Sequence, residues 1–150
     1  MVRQAAVKHI ATVRGFHKMA EKASVMTNQS AVLLIAHGSR HEDANADARY
    51  FANELVRRGS HQIVVAAFLE LAEPDIDTGA ATCVERGARS VILLPCFLSA
   101  GVHVHRDLEA AHKRLADRFL DVEFLLAEPM GRHPLLLDVL CDRIRSAEKN

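Results

Sequence analysis

His37 and His103 are the residues of this chain best equipped for chemistry. Each follows a short apolar run and lies in a turn of small residues, in AVLLIAHGSR and in SVILLPCFLSAGVHVHRDL. An imidazole titrates near neutrality and can offer a lone pair to a proton or to a divalent metal. Glu70 ends another apolar run, and 33 residues separate it from each histidine. Two imidazoles with a carboxylate make a mixed nitrogen and oxygen donor set suited to divalent first-row metals, and no cysteine stands beside them to make a thiolate site. Cobalt, iron, nickel and zinc all fit such a set. Each histidine alone reads more readily as a hydrogen-bonded structural residue than as a ligand, so the chemistry depends on a fold that brings the three together.

The elements that must position them alternate strand and helix. Val32 to Ala36 is apolar throughout and too short for a helix, as a strand covered on both faces should be. Ala44, Ala48, Phe51, Ala52 and Leu55 recur at helical spacing, with Asp43 as the expected cap and Gly59 as the stop. Ile63 to Leu69 is the second strand. Pro74 and Asp75 open a helix with a buried stripe of Ile76, Ala80 and Val84, closed by Gly87. Ser90 to Pro95 is the third strand, and Leu108, Ala111, Leu115 and Phe119 mark the next helix. Val122 to Ala127 is the fourth strand, and Leu136, Val139, Leu140 and Ile144 mark a last helix. With right-handed crossovers this order predicts an α/β fold: an open, mostly parallel four-stranded sheet with helices on both faces. The carboxyl ends of the strands then share one edge, where such folds bind ligands. His37, Glu70, His103 and Glu128 fall on that edge.

Composition narrows the partners. The 150 residues carry 19 basic and 19 acidic side chains, so no net field draws the chain to nucleic acid or to a membrane surface. No apolar run approaches the roughly 20 residues that cross a bilayer. Cys83, Cys96 and Cys141 are widely spaced and odd in number, which reads as buried thiols of a cytoplasmic protein rather than a disulfide framework. Residues 1–29 differ from the rest, with Arg3, Lys8, Arg14, Lys18 and Lys22 against the single acid Glu21. They form an N-terminal extension: a loose helix, a disordered segment, an upstream mis-assigned start, or, against the lack of a Ser-rich stretch, a transit peptide. The folded domain is expected over 30–150.

AHGSR at the first strand, FLELAEPDI at the second and LLPCFLSAGVHVHRDL at the third occur in an order that resembles the small class II tetrapyrrole chelatases, the sirohydrochlorin cobalt and iron chelatases of the CbiX and SirB type. The resemblance runs from Ala31 to about Pro129. It implies a chelatase-like half-domain that inserts Co²⁺, Fe²⁺ or Ni²⁺ into sirohydrochlorin, on the way to cobalamin or siroheme. The metal is then a substrate, and no permanently bound cofactor is implied. His37 and His103 would bind the metal and assist chelation, and Glu70 would be a third ligand or the group that orients and charges the site. Short members of the family pair two copies, which implies a homodimer. The apolar last helix fits an interface or burial within one chain.

The chemistry supports these residue types independently. Metal insertion releases two pyrrole N–H protons while the ion sheds its other ligands, so the site needs a base near neutrality and exchangeable coordination. A closed four-ligand site would hold the ion too firmly. Sirohydrochlorin carries carboxylates on its rim. Arg40 and Arg106 flank the two histidine motifs and suit bidentate carboxylate contacts, although a solvated surface arginine is the commoner reading for either one alone. His41 and His105 lie beside them. Ser39, Ser99 and Gly101 would shape the substrate loops, Gly101 through a positive φ or a close backbone approach and the serines as turn caps. Phe97 and Leu98 are candidates for an apolar floor or for core packing. A phosphohistidine enzyme is disfavoured because Ala36 precedes His37 where that class has arginine. A dinucleotide site is disfavoured because no G-x-G-x-x-G follows the first strand. A non-enzymatic metal or tetrapyrrole carrier would need the same residues and differs only in lacking turnover.

Overall fold

The segment Ser30–Ala36, SAVLLIA, is buried at five successive positions, Ala31 to Ile35, because β1 (Ser30–Ala36) has a strand on each side and helices on both faces. A computed structural model describes residues 29–59, 61–98, 101–131 and 133–149. After β1 come α1 (Glu42–Arg57), β2 (Ile63–Phe68), α2 (Ile76–Glu85), β3 (Ser90–Pro95), α3 (Val102–Arg118), β4 (Glu123–Leu126) and α4 (Pro134–Ala147). The sheet order is β2-β1-β3-β4 and every pairing is parallel, as the alternating pattern predicts. Leu34 of β1 lies opposite Ala66 of β2 and Leu94 of β3. The N-terminal extension lies outside the described residues up to Gln29, whose carbonyl accepts the N–H groups of Arg89 and Ser90.

Alternate residues of β1 face opposite sides, and the two sides are covered unequally. Leu33 and Ile35 join Ile76, Ala80 and Cys83 of α2 and Leu108, Ala111 and Leu115 of α3 in the larger core. Gly79 lets α2 approach closely, since a Cβ there would stand 2.7 Å from a methyl of Leu33 and 3.0 Å from Cβ of Ala67. On the other side Leu34 and Phe68 pack with Ala48 of α1, and this core is small. The last helix adds nothing to it: α4 has no buried residue, and Leu135, Leu137, Val139, Leu140 and Ile144 are all exposed. Leu125 of β4 is exposed on the sheet, and Leu94 and Cys96 beside it are only partly covered.

Four local expectations are corrected. The cap of α1 is His41, with Asp43 inside the first turn, where its charge still complements the helix dipole. Phe119 is the C-cap just past the end of α3, though it still packs against the main core. Gly101 has an ordinary φ of −67° and open space around its Cα, so it serves as the extended N-cap of α3 and not as a left-handed position. Of the three thiols only Cys83 is buried; Cys96 is partly covered and Cys141 is exposed because it sits on the unpacked α4. Asp75 caps α2 as expected, its carboxylate accepting the Thr78 N–H at 2.8 Å.

Candidate active site

The sheet order places the topological switch between β1 and β3: the chain leaves β1 toward β2 and leaves β3 toward β4. A crevice must open where the connections diverge. His37 follows β1 directly and His103 is the second residue of α3, so both border this crevice. His103 is therefore helical, where the sequence suggested a loop, because α3 starts at Val102. A cleft of about 470 Å³ opens here, lined by His37, Glu70 and His103 together with Asp75, Asp77, Asp107 and Arg114.

Glu70 reaches the site through the turn after β2. Its N–H donates to the His37 carbonyl at 3.1 Å, and the preceding Leu69 N–H donates to Ala36 at 3.0 Å, so the ends of β1 and β2 stay in step beyond the sheet. Gly38 makes that docking possible. It has φ +92°, and a Cβ on it would fall 1.8 Å from the Glu70 carbonyl oxygen. Leu71, at φ +63°, holds a backbone conformation that is uncommon for a side chain of its size. The turn is fixed instead by Phe68, whose N–H donates to the Pro74 carbonyl at 2.9 Å.

The result is an ion pair between His37 Nδ1 and Glu70 Oε1 at 3.2 Å. A proton on Nδ1 would face this carboxylate and leave Nε2 with a lone pair in the neutral ring. Phe97 stands edge-on to the imidazole at 6.3 Å between centroids. Phe97 is itself buried in the main core whereas Leu98 is 68% exposed, which divides the expected apolar floor between packing and surface. His103 borders the same cleft, yet among the described residues no three His, Cys, Asp or Glu side chains form a cluster close enough to hold a metal by themselves. The protein thus offers a two-residue pair and a histidine across an open cleft. Further coordination would have to come from an incoming ligand.

The other anticipated residues divide. Ser39 turns the chain after His37, its Oγ accepting the His41 N–H at 3.0 Å. Arg40 and Arg106 are exposed and neither lines the cleft, and Glu128 is exposed outside it. Ser99 lies outside the described residues. Sequence reasoning missed Asp107, one helical turn beyond His103, whose spacing could have revealed it. It also missed Arg114, held by two nitrogens on the Asp77 carboxylate at 2.6 to 3.2 Å, because that contact joins α3 to α2 across 37 residues. Asp77 and Asp75 raise the affinity of that guanidinium for its proton, the Asp77 hydrogen bond contributing most. With four carboxylates and one guanidinium on its wall, the cleft favours a cation.

The residues 31–147 match the family model described as CbiX. The chain belongs to the CbiX family. Among relatives of this CbiX chain, the chloroplastic sirohydrochlorin ferrochelatase of Arabidopsis thaliana is 36% identical over 114 residues, covering 76% of this chain and 51% of the relative. A crystal structure of a cobalamin (vitamin B12) biosynthesis CbiX protein from Marinobacter aquaeolei VT8 superposes with a TM-score of 0.70 at 30% identity, over 80% of this chain and 98% of that one. The sirohydrochlorin chelatase SirB from Bacillus subtilis subspecies spizizenii, solved with cobalt, gives 0.73 at 28% identity over 79% and 50%. The chain spans about half or less of the length of the first curated relatives it matches. The α/β fold with its parallel four-stranded sheet is shared with these chelatases.

Proposed function

We propose that this chain is a sirohydrochlorin chelatase that exchanges two pyrrole protons of the macrocycle for one divalent metal ion. The observation that carries the reading is the His37–Glu70 pair facing the cleft shared with His103 at the switch point of a CbiX-family sheet. The family relatives named as cobalt and iron chelatases of sirohydrochlorin give the substrate class.

The arrangement suits each requirement of the reaction. Acidic side chains along the cleft raise the local concentration of M²⁺. His37, through Nε2, and His103 take the ion as weak ligands, and Glu70 orients the His37 ring from its Nδ1 side. As the macrocycle nitrogens replace these ligands, the same imidazoles accept the two departing protons and pass them to solvent, so one M²⁺ enters and two H⁺ leave. Co²⁺ and Fe²⁺ are the proposed metals, with Ni²⁺ chemically admissible, in the cobalamin or siroheme branch. Arg40 and Arg106, with Ser39, Ser99 and Gly101, are the proposed contacts for the macrocycle and its carboxylates. A homodimer belongs to the same proposal, supported by the unburied apolar side chains of α4 and the thinly covered sheet face. So does a cytoplasmic location, which fits unpaired thiols and the absence among the described residues of any helix long and apolar enough to cross a membrane.

The test is an anaerobic absorbance assay with sirohydrochlorin and Co²⁺, Fe²⁺ or Ni²⁺. Spectral conversion over many turnovers is expected. Stoichiometric binding of metal or pigment without turnover would make the protein a carrier, and no binding would reject the substrate class.

A further inference from the structure

Asn45 is the one buried polar side chain among the described residues, at 3% exposure. Asparagine is a poor helix former, and Asn45 lies in the first turns of α1 between two alanines that suit a helix better. A buried amide is tolerated only when its donor and acceptor are both used. Here both go to one residue of the His37 loop. The Ser39 N–H donates to Asn45 Oδ1 at 2.9 Å, and Asn45 Nδ2 donates to the Ser39 carbonyl at 2.9 Å. A longer contact at 3.4 Å joins Nδ2 to Glu42 Oε2.

From the opposite side the backbone of Glu70 grips the same loop through the His37 carbonyl and the close approach of Gly38. Residues 37–39 are therefore held from both sides. The His37 side chain itself is 58% exposed, so packing alone does little to hold it. Its direction toward Glu70 depends on where the backbone is fixed.

We propose that Asn45 is a positioning residue for His37, acting through a two-way amide clamp on Ser39 that keeps the imidazole set against Glu70. Both halves of the amide are required, because losing either leaves a partly buried backbone group of Ser39 without its partner. The kinetic part of the test rests on the chelatase reading, while the metal-binding part does not.

The test compares Asn45→Ala, which removes the clamp, and Asn45→Asp, which keeps an acceptor for the Ser39 N–H and loses the donor to its carbonyl. Ala52→Gly, on the same helix but away from the loop, controls for general loss of stability. All are assayed well below their unfolding temperatures. Both Asn45 variants should lower kcat about 10-fold or more while KM for sirohydrochlorin changes less than about 2-fold, and should weaken calorimetric Co²⁺ binding about 10-fold. Ala52→Gly should lower Tm and leave kcat and Co²⁺ affinity unchanged. Asn45→Asp, being isosteric, preserves the test should Asn45→Ala fail to fold. Wild-type kcat and Co²⁺ affinity in a folded Asn45 variant would overturn the proposal, as would equal losses in Ala52→Gly. Absence of turnover by the wild type would count against the chelatase reading alone, leaving the Co²⁺ comparison to judge the clamp.

Discussion

At the scale of single residues, the pairing of His37 with Glu70 turns an exposed imidazole into a candidate base and ligand. The pair is more than half exposed, so its value lies in orientation rather than in stability. His37→Ala and His103→Ala should each lower metal insertion by about 100-fold or more, the scale of losing a proton acceptor together with a ligand, while circular dichroism and Tm stay near wild type. Unfolding of either variant would instead identify that histidine as structural. Both histidines were legible in the sequence because each follows an apolar strand segment. Asp107 and Arg114 were less so, since a lone acid or arginine on a helix looks like solvated surface until a neighbouring element is placed beside it.

At the scale of elements, the site depends on where helices begin. The Asp75 carboxylate caps α2 beside the cleft, and its hydrogen bond from the Thr78 backbone N–H holds its pKa below the ordinary 3.8. A carboxyl lowered in the folded state stabilises fully above its unfolded value, and that stabilisation is lost as pH falls through the folded value. Asp75→Ala should therefore cost about 1 kcal/mol at about pH 7, a Tm decrease of about 3 °C. The gap from wild type should shrink toward zero in strong acid, and a gap that persisted there would show that the cap does not act through the ionised form. This cap was visible in the sequence because Pro74 and Asp75 precede an apolar stripe. The cap of α1 was misplaced by two residues: Asp43 looked the better capping type, yet the loop held by Asn45 starts the helix at Glu42.

At the scale of the whole molecule, the two sheet faces differ. The face under α2 and α3 holds a continuous core, while the face under α1 leaves a cleft of about 380 Å³ lined by Leu34, Tyr50, Phe51, Leu94, Cys96 and Met130, among others. An apolar helix that buries none of its residues and an apolar sheet face only partly covered among the described residues both favour association with a further protein surface. In the proposed homodimer, sedimentation equilibrium should give twice the chain mass, and the double substitution Leu137→Glu with Leu140→Glu should return it to a monomer. A wild type that stays monomeric at micromolar concentration would remove the homodimer from the reading.

The sequence by itself determined the fold class and the order of the elements, and it pointed to the two histidines and Glu70 as candidates. Apolar runs of strand length, helical periodicity and caps are local properties, and right-handed crossovers leave few ways to arrange them. Tertiary structure alone decided which side chains meet. It set Glu70 on His37 through the approach of Gly38, tied Arg114 to Asp77, and turned a buried asparagine on the loop that carries His37. It also left α4 without a buried residue among the described residues. These outcomes depend on distances between segments tens of residues apart, and no local pattern in the chain encodes such distances.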